Sequence, residues 1–375
     1  MRTYIVIGAG VLGASTAYHL AKAGAMVTLV DRRDVGQATD AAAGIVCPWL
    51  SQRRNKAWYQ LARNGARYYH ALIKELEEAG ETDTGYLKVG ALSLHTDEKK
   101  LEQMEERAYK RLEDAPEIGE ITRLSPAEAQ RHYPPLADSY GAVHISGAAR
   151  VNGRELRDAL IRATQKLGGL LMSGHAQLVV EQNTVLGVNV GGSFLEADRI
   201  IITAGAWGKD SVKELGYDFK VVPQKAQILH LKMPQTDTNH WPVIMPPTNQ
   251  YLLSFGEGRI VVGATHEDEM GFDSRVTAGG VQEILSKMLE VAPGLMTSTF
   301  VEARVGFRPF TPGFLPVFGA LPTHQEVLLA NGLGASGLTA GPYLGSQLAN
   351  LALGEALELK PEDYPLTEAL ERIEF

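Results

Sequence analysis

Gly8-Ala9-Gly10-Val11-Leu12-Gly13 spells G-x-G-x-x-G, and Asp31 stands 18 residues beyond the last of these glycines. Glycines at this spacing allow a tight turn and let the backbone approach a pyrophosphate, while a carboxylate about 20 residues further on can accept hydrogen bonds from ribose hydroxyls. The phosphate charge would sit at a helix N-terminus, where unpaired N–H groups and the helix dipole stabilise an anion. Taken alone, the pattern also fits a glycine turn with a purely structural purpose. Asp31 speaks against a 2′-phosphorylated ribose, which it would repel. Arg32 and Arg33 either flank the adenosine or the pyrophosphate, or are solvated surface charges.

The elements that must hold these residues are legible around them. Tyr4-Ile5-Val6-Ile7 is a β-branched run that ends at a glycine, and Val11, Ala14, Tyr18 and Ala21 recur at helical spacing until Gly24. Residues 26–30 supply a second strand, so the start is a βαβ unit with a parallel sheet and a right-handed crossover. Residues 4–20 are therefore read as strand, turn and helix, not as a signal peptide: glycines interrupt the apolar run and only Arg2 precedes it. Trp58, Leu61, Tyr69, Leu72, Ile73 and Leu76 share one face of a helix over 55–79. A charged helix over 97–115 reads as a solvated outer layer, and another helix is expected over 154–167. Residues 198–205 read as a buried strand running into a turn, which returns the chain to the first sheet. Antiparallel hairpins are expected over 221–262, a strand over 326–330, and a glycine-rich loop leading to a helix that ends near Leu353.

Composition narrows the function classes. A chain of 375 residues exceeds one ordinary core, so two domains are expected. A net charge of −8 without clustered Lys and Arg argues against nucleic acid as a partner. The single cysteine, Cys47, allows neither an intramolecular disulfide nor a cysteine zinc site, which points to a reducing cytoplasm. No uninterrupted apolar window reaches about 18 residues, so no transmembrane segment is expected. No His, Asp or Glu spacing suggests a metal site.

Gly36-Gln37-Ala38-Thr39-Asp40-Ala41-Ala42-Ala43-Gly44-Ile45 is too small for core and too ordered in composition for a linker. Such a loop can wrap an extended flavin nucleotide, with Thr39, Ala43, Gly44 and Ile45 as its contacts. Here the sequence resembles the family of D-amino acid oxidases, glycine oxidases and sarcosine oxidases, whose second flavin loop has a similar Ala-Ala-Gly run. The resemblance continues, in order, over nearly the whole chain. Asp198-Arg199-Ile200-Ile201-Ile202-Thr203-Ala204-Gly205-Ala206-Trp207 is similar to the family's strand and turn beside the flavin, and Gly258-Arg259-Ile260-Val261-Val262-Gly263-Ala264-Thr265 to a substrate-domain strand. Gly306-Phe307-Arg308-Pro309 resembles its Gly-Leu-Arg-Pro segment, and Gly332-Leu333-Gly334-Ala335-Ser336-Gly337-Leu338-Thr339 its final flavin loop.

This resemblance implies FAD as the cofactor, held noncovalently by the first motif, by the 36–45 loop, by Ala176, Ala204, Gly205 and Trp207, and by Gly332, Leu333, Gly334, Ser336, Gly337, Leu338 and Thr339. Backbone groups at the last helix start would stabilise negative charge on the reduced ring. It also implies that Arg308 binds a substrate carboxylate bidentately, which aims the substrate Cα–H at flavin N5. A buried structural ion pair is the alternative for Arg308. Tyr251 is expected to bring a hydroxyl near the substrate or to be core, and His266 to accept the amine proton or to be a surface turn residue. Trp49, Arg53, Arg54 and Trp58 either border the pocket or form an ordinary helix start. Two departures matter. Ala335 stands where some glycine oxidases carry a second arginine, and no cysteine follows Arg308 as in sarcosine oxidases with covalent flavin; Cys47 is expected to be a small buried residue.

The expected architecture is α/β. A Rossmann-like FAD-binding domain with a parallel sheet (1–85, 143–215 and 305–375) faces an antiparallel-sheet substrate domain (86–142 and 216–304). Ligands should lie between them, at the carboxyl ends of the parallel strands. The expected reaction is oxidation of the C–N bond of a small amino acid, namely a D-amino acid, glycine or an N-methyl amino acid. Hydride transfer to flavin N5 gives an imine that hydrolyses to a 2-oxo acid and ammonia or an amine. Dioxygen or an electron carrier would be the final acceptor, and a homo-oligomer is compatible with the sequence. The rival readings are an FAD-dependent 2-hydroxy acid dehydrogenase, a noncatalytic flavin-binding subunit of a larger dehydrogenase, and an NAD-dependent enzyme.

Overall fold

The computed structural model describes residues 2–373. Its first strand, β1 (Thr3–Ile7), is buried on both faces and runs parallel to β2 (Met26–Asp31), with helix α1 (Val11–Lys22) as the crossover between them. A continuous β-branched run suits such a strand, because helices or other layers cover both sides of a parallel sheet. The sheet has six strands in the order Val317–Leu321, His324–Asn331, Arg199–Ile202, β1, β2 and Leu170–Ser173. All neighbours are parallel except the hairpin that Val317–Leu321 makes with His324–Asn331.

Helix α1 is buried almost all round, which explains why its residues are small or apolar on every side. It meets Lys56–Glu78 through the hydrogen bond between His19 and Tyr68, and packs with Gly153–Lys166 and Gly337–Leu353. The first two of these correspond to the helices expected over 55–79 and 154–167. Asn55 and Asn152 start them by accepting hydrogen bonds from Trp58 N and Arg154 N. The charged helix is Glu98–Leu112, and only Leu101 and Ala108 on it are buried.

The second large sheet has eight strands in the order Thr299–Phe310, Val222–Lys232, Arg259–Gly263, Tyr251–Ser254, Val243–Met245, Ala91–His95, Gly141–Ile145 and Ile121–Leu124. It is antiparallel apart from the pairing of Val243–Met245 with Ala91–His95. The fold class is thus the expected α/β combination of a parallel and an antiparallel sheet. Two of the expected domain limits, 142/143 and 304/305, fall inside single strands of this sheet. Thr299–Phe310 pairs with Val222–Lys232 along its whole length, so this edge strand reaches the 36–45 loop, where Phe307 N donates to the Gly36 carbonyl at 2.9 Å. A three-stranded antiparallel sheet over Ala176–Glu181, Thr184–Val190 and Ser193–Glu196 has no counterpart in the sequence reading. No helix among the described residues is long and apolar enough to cross a membrane.

Candidate active site

Two adjoining cavities lie where the parallel strands end. The larger, of about 730 Å³, starts at the β1–α1 turn. Gly8 has φ +100°, and a Cβ on it would lie 2.6 Å from the Thr203 carbonyl oxygen. At Gly13 a Cβ would overlap the Gly8 carbonyl oxygen and lie 2.5 Å from Thr203 Oγ1. The turn is therefore packed tightly against the end of the neighbouring strand Arg199–Ile202, where the Thr203 hydroxyl is 3.0 Å from the Ile7 carbonyl and 2.9 Å from that of Gly8.

The Asp31 carboxylate closes the turn from the other side. It accepts hydrogen bonds from Ala9 N at 2.6 Å, Arg33 N at 2.5 Å and Gln37 Nε2 at 2.8 Å, and it still lines the cavity. The short helix α2 (Ala38–Ala41) then brings Thr39 over the start of α1, where its hydroxyl accepts from Val11 N at 3.0 Å. A turn without side chains, backbone N–H groups at a helix start and a carboxylate at the next strand end fit the pyrophosphate and ribose of a dinucleotide. The cavity volume falls within the roughly 300–1,000 Å³ of ordinary cofactor pockets.

Of the residues expected to hold the cofactor, Gly8, Gly10, Val11, Leu12, Asp31, Arg32 and Thr39 line this larger cavity. So do Ala176, Ala204, Gly205, Trp207, Gly332, Leu333, Gly334 and Gly337. Ala9, Gly13, Arg33 and Ser336 line neither cavity. Ala9 and Gly13 act within the turn, Arg33 is exposed, and Ser336 accepts a hydrogen bond from Trp58 Nε1 at 3.0 Å. Arg32 is exposed and pairs with Asp34 at 2.9 Å. Sequence reasoning passed over Asn331, which ties two loops of the wall: its side chain donates to the Gly205 carbonyl at 2.9 Å and accepts from Gly332 N at 2.7 Å.

The smaller cavity, of about 130 Å³, shares Val11, Ala38, Thr39, Gly334 and Gly337 with the larger one. Ala43, Gly44, Ile45, Leu338 and Thr339 line it, as do Tyr251 and Arg308. Arg308 Nη1 donates to Gln224 Oε1 at 3.0 Å and to the Thr265 carbonyl at 3.4 Å. Both partners are neutral, and no ion pair involves Arg308 among the described residues, so the ion-pair alternative does not hold. Burial pushes the guanidinium below its ordinary pKa, with neighbouring Tyr251 acting in the opposite sense. Burial also raises the Tyr251 phenol, and the Arg308 charge offsets part of that rise. The remaining walls are small: Ala41, Ala42, Ala226, Gly306 and Ala335. The proximity of Gln224, Ala226 and Thr265 to Arg308 escaped notice because it comes from strand register and a turn, not from spacing along the chain.

His266 does not join this group. It is exposed and lines neither cavity, although its neighbour Thr265 is buried. Partial burial, and then the Arg308 charge, push its imidazole below the ordinary value. The turn after Arg259–Gly263 directs Thr265 inward and His266 outward. Trp49, Arg53, Arg54 and Trp58 also line neither cavity. Trp49 is core, while Arg53 stacks on Trp58 at 4.8 Å. Cys47 is buried away from both cavities, and burial pushes its thiol up to about 12, so it is the small core residue expected.

A family model described as FAD dependent oxidoreductase (DAO) matches residues 3–351. The uncharacterized oxidoreductase YurR of Bacillus subtilis (strain 168) is 61% identical over 371 residues, which are 99% of this chain and 100% of that protein. A glycine oxidase of Pseudomonas putida is 27% identical over 365 residues, 96% of this chain and 97% of its own. Among solved structures, iminodiacetate oxidase from Chelativorans sp. BNC1 superposes with a TM-score of 0.94 at 45% identity, covering 96% of this chain and 98% of that one.

Proposed function

The chain belongs to the family of FAD dependent oxidoreductases, and from that premise we propose that it oxidises the C–N bond of a small amino acid anchored by its carboxylate, with N-substituted glycines such as iminodiacetate preferred. The observation that carries this reading is Arg308. A guanidinium has five N–H donors, and here they meet two neutral acceptors in a cavity beside the cofactor cavity, which leaves a fork ready for an anion. The 45% identity to iminodiacetate oxidase, against 27% to the glycine oxidase, supports the choice within the class.

Bound FAD supplies the two-electron acceptor. Arg308 holds the substrate carboxylate, and the Tyr251 hydroxyl donates to the same group. Together they fix the position of the adjacent carbon, so the protein's contribution is mainly orientation. Ala226, Gly306 and Ala335 leave room for a substituent on nitrogen. No Asp, Glu or His lines the smaller cavity among the described residues, so the amine binds neutral and its lone pair assists as the Cα–H leaves with its electron pair. The nitrogen then gives up its proton to form an imine. Water adds to that carbon, the C–N bond breaks, and R–NH–CH2–COO⁻ yields R–NH2 and glyoxylate.

Two outcomes follow. Iminodiacetate should give glycine and glyoxylate in equal amounts, with a higher kcat/KM than glycine or D-alanine; a clear preference for glycine would contradict the N-substituted class. Tyr251→Phe should lower kcat/KM about tenfold, the usual worth of a hydrogen bond to a charged group. The loss should appear mainly in KM, with FAD retained, as steady-state kinetics and the flavin spectrum would record.

A further inference from the structure

Lys225 is the notable group outside the two cavities. Its side chain has 0% exposure, and Nζ lies 3.4 Å from Asp273 Oδ2 and 3.6 Å from Glu267 Oε2. A buried ammonium is costly unless paired, and both of its partners come from one segment, the irregular stretch 264–277 between Arg259–Gly263 and the helix Ala278–Val291. Backbone hydrogen bonds of 3.0 Å in both directions join Lys225 and Glu267. Gln227, two residues along the same strand, holds the segment's far end: its side chain accepts from Thr277 N at 2.9 Å and donates to Thr277 Oγ1 at 3.0 Å.

The segment touches both cavities. At one end the Thr265 carbonyl accepts from Arg308, and Asp268 accepts from Gln224 Nε2 at 2.8 Å while Gln224 accepts from Arg308. At the other end Phe272, 47% exposed, stacks on Trp207 with centroids 4.9 Å apart and meets Phe307 edge-on at 5.2 Å. All three aromatics line the larger cavity.

We propose that Lys225 is a positioning residue, whose ion pairs with Glu267 and Asp273 clamp the 264–277 segment so that it fixes Arg308 at the smaller cavity and closes Phe272 on Trp207 at the dinucleotide cavity. The first half of this rests on Arg308 binding the substrate carboxylate; the second half does not. Substrate affinity and cofactor retention are thereby linked through one buried charge.

The test uses the holoenzyme and three variants. Lys225→Met keeps the length of the side chain and removes its charge. It should raise KM about 10- to 100-fold, with a smaller change in kcat, because loss of alignment of about 1 Å is enough for such an effect. It should also speed FAD release, read as recovery of free-flavin fluorescence on dilution. A role in stability alone would lower Tm and leave KM and FAD release unchanged, and that result overturns the proposal. Should Lys225→Met fail to fold, two variants of exposed residues decide. Asp268→Ala should raise KM alone, and Phe272→Ala should speed FAD release alone; normal values in both overturn the proposal. If Asp268→Ala leaves KM unchanged while Phe272→Ala and Lys225→Met still release FAD faster, the link to Arg308 has failed and the clamp on the cofactor side stands; if Arg308→Ala also keeps wild-type kinetics, the carboxylate role of Arg308 has failed instead.

Discussion

Arg308→Ala is expected to lower kcat/KM for iminodiacetate by about 10³, because truncating one partner of a buried, hydrogen-bonded charge pair costs 2–5 kcal/mol or more. Its FAD should remain bound, since Arg308 lines the smaller cavity and not the one at the glycine turn. Arg308→Lys should recover only part of the loss: an ammonium keeps the charge but not the planar fork that meets two carboxylate oxygens. An amine of similar size without a carboxylate should be equally poor with the wild-type protein and with Arg308→Ala. Kinetics across this set separate the role of the guanidinium from any change in the flavin. Wild-type kinetics in Arg308→Ala would remove the anchor on which the proposed substrate class depends.

Gly13→Ala should give a colourless or nearly colourless apoprotein. The added methyl group overlaps the Gly8 carbonyl oxygen and approaches Thr203 Oγ1, both parts of a turn closed by Asp31. Relief requires the turn to shift, and its N–H groups then no longer face the pyrophosphate. A strain of about 1–3 kcal/mol corresponds to a loss of FAD affinity of about 5- to 150-fold, measurable by titrating the apoprotein with FAD. The same substitution at Gly24, where a Cβ would meet nothing within 4 Å, tests a positive-φ glycine away from the cofactor. It should cost some stability through its φ of +80° and leave FAD affinity unchanged.

What could be read without coordinates follows from what is local. The β1–α1–β2 unit was legible because a β-branched run, three glycines and an 18-residue spacing to Asp31 lie within one short stretch. The helix Lys56–Glu78 was legible because its apolar residues recur on one face. The cluster around Arg308 was not, because it depends on register between distant segments: Gln224 faces Arg308 across two paired strands, 84 residues away in sequence. Lys225 gave no signal, since a lysine in a strand normally reads as a solvated charge, and only the fold shows it enclosed by Glu267 and Asp273. His266 and Thr265 differ by one position along a turn, so which of them faces inward depends on a backbone direction that residue types do not encode.

The proposed reaction is tested most directly by anaerobic titration of the holoenzyme, following the visible absorbance of the oxidised flavin. Iminodiacetate should bleach the flavin completely in the wild-type protein and only at far higher concentration in Arg308→Ala, while lactate and other 2-hydroxy acids leave the spectrum unchanged. A flavin that stays oxidised with iminodiacetate, glycine, sarcosine and D-amino acids alike, or that is bleached by a 2-hydroxy acid instead, would contradict C–N oxidation as the function of this chain.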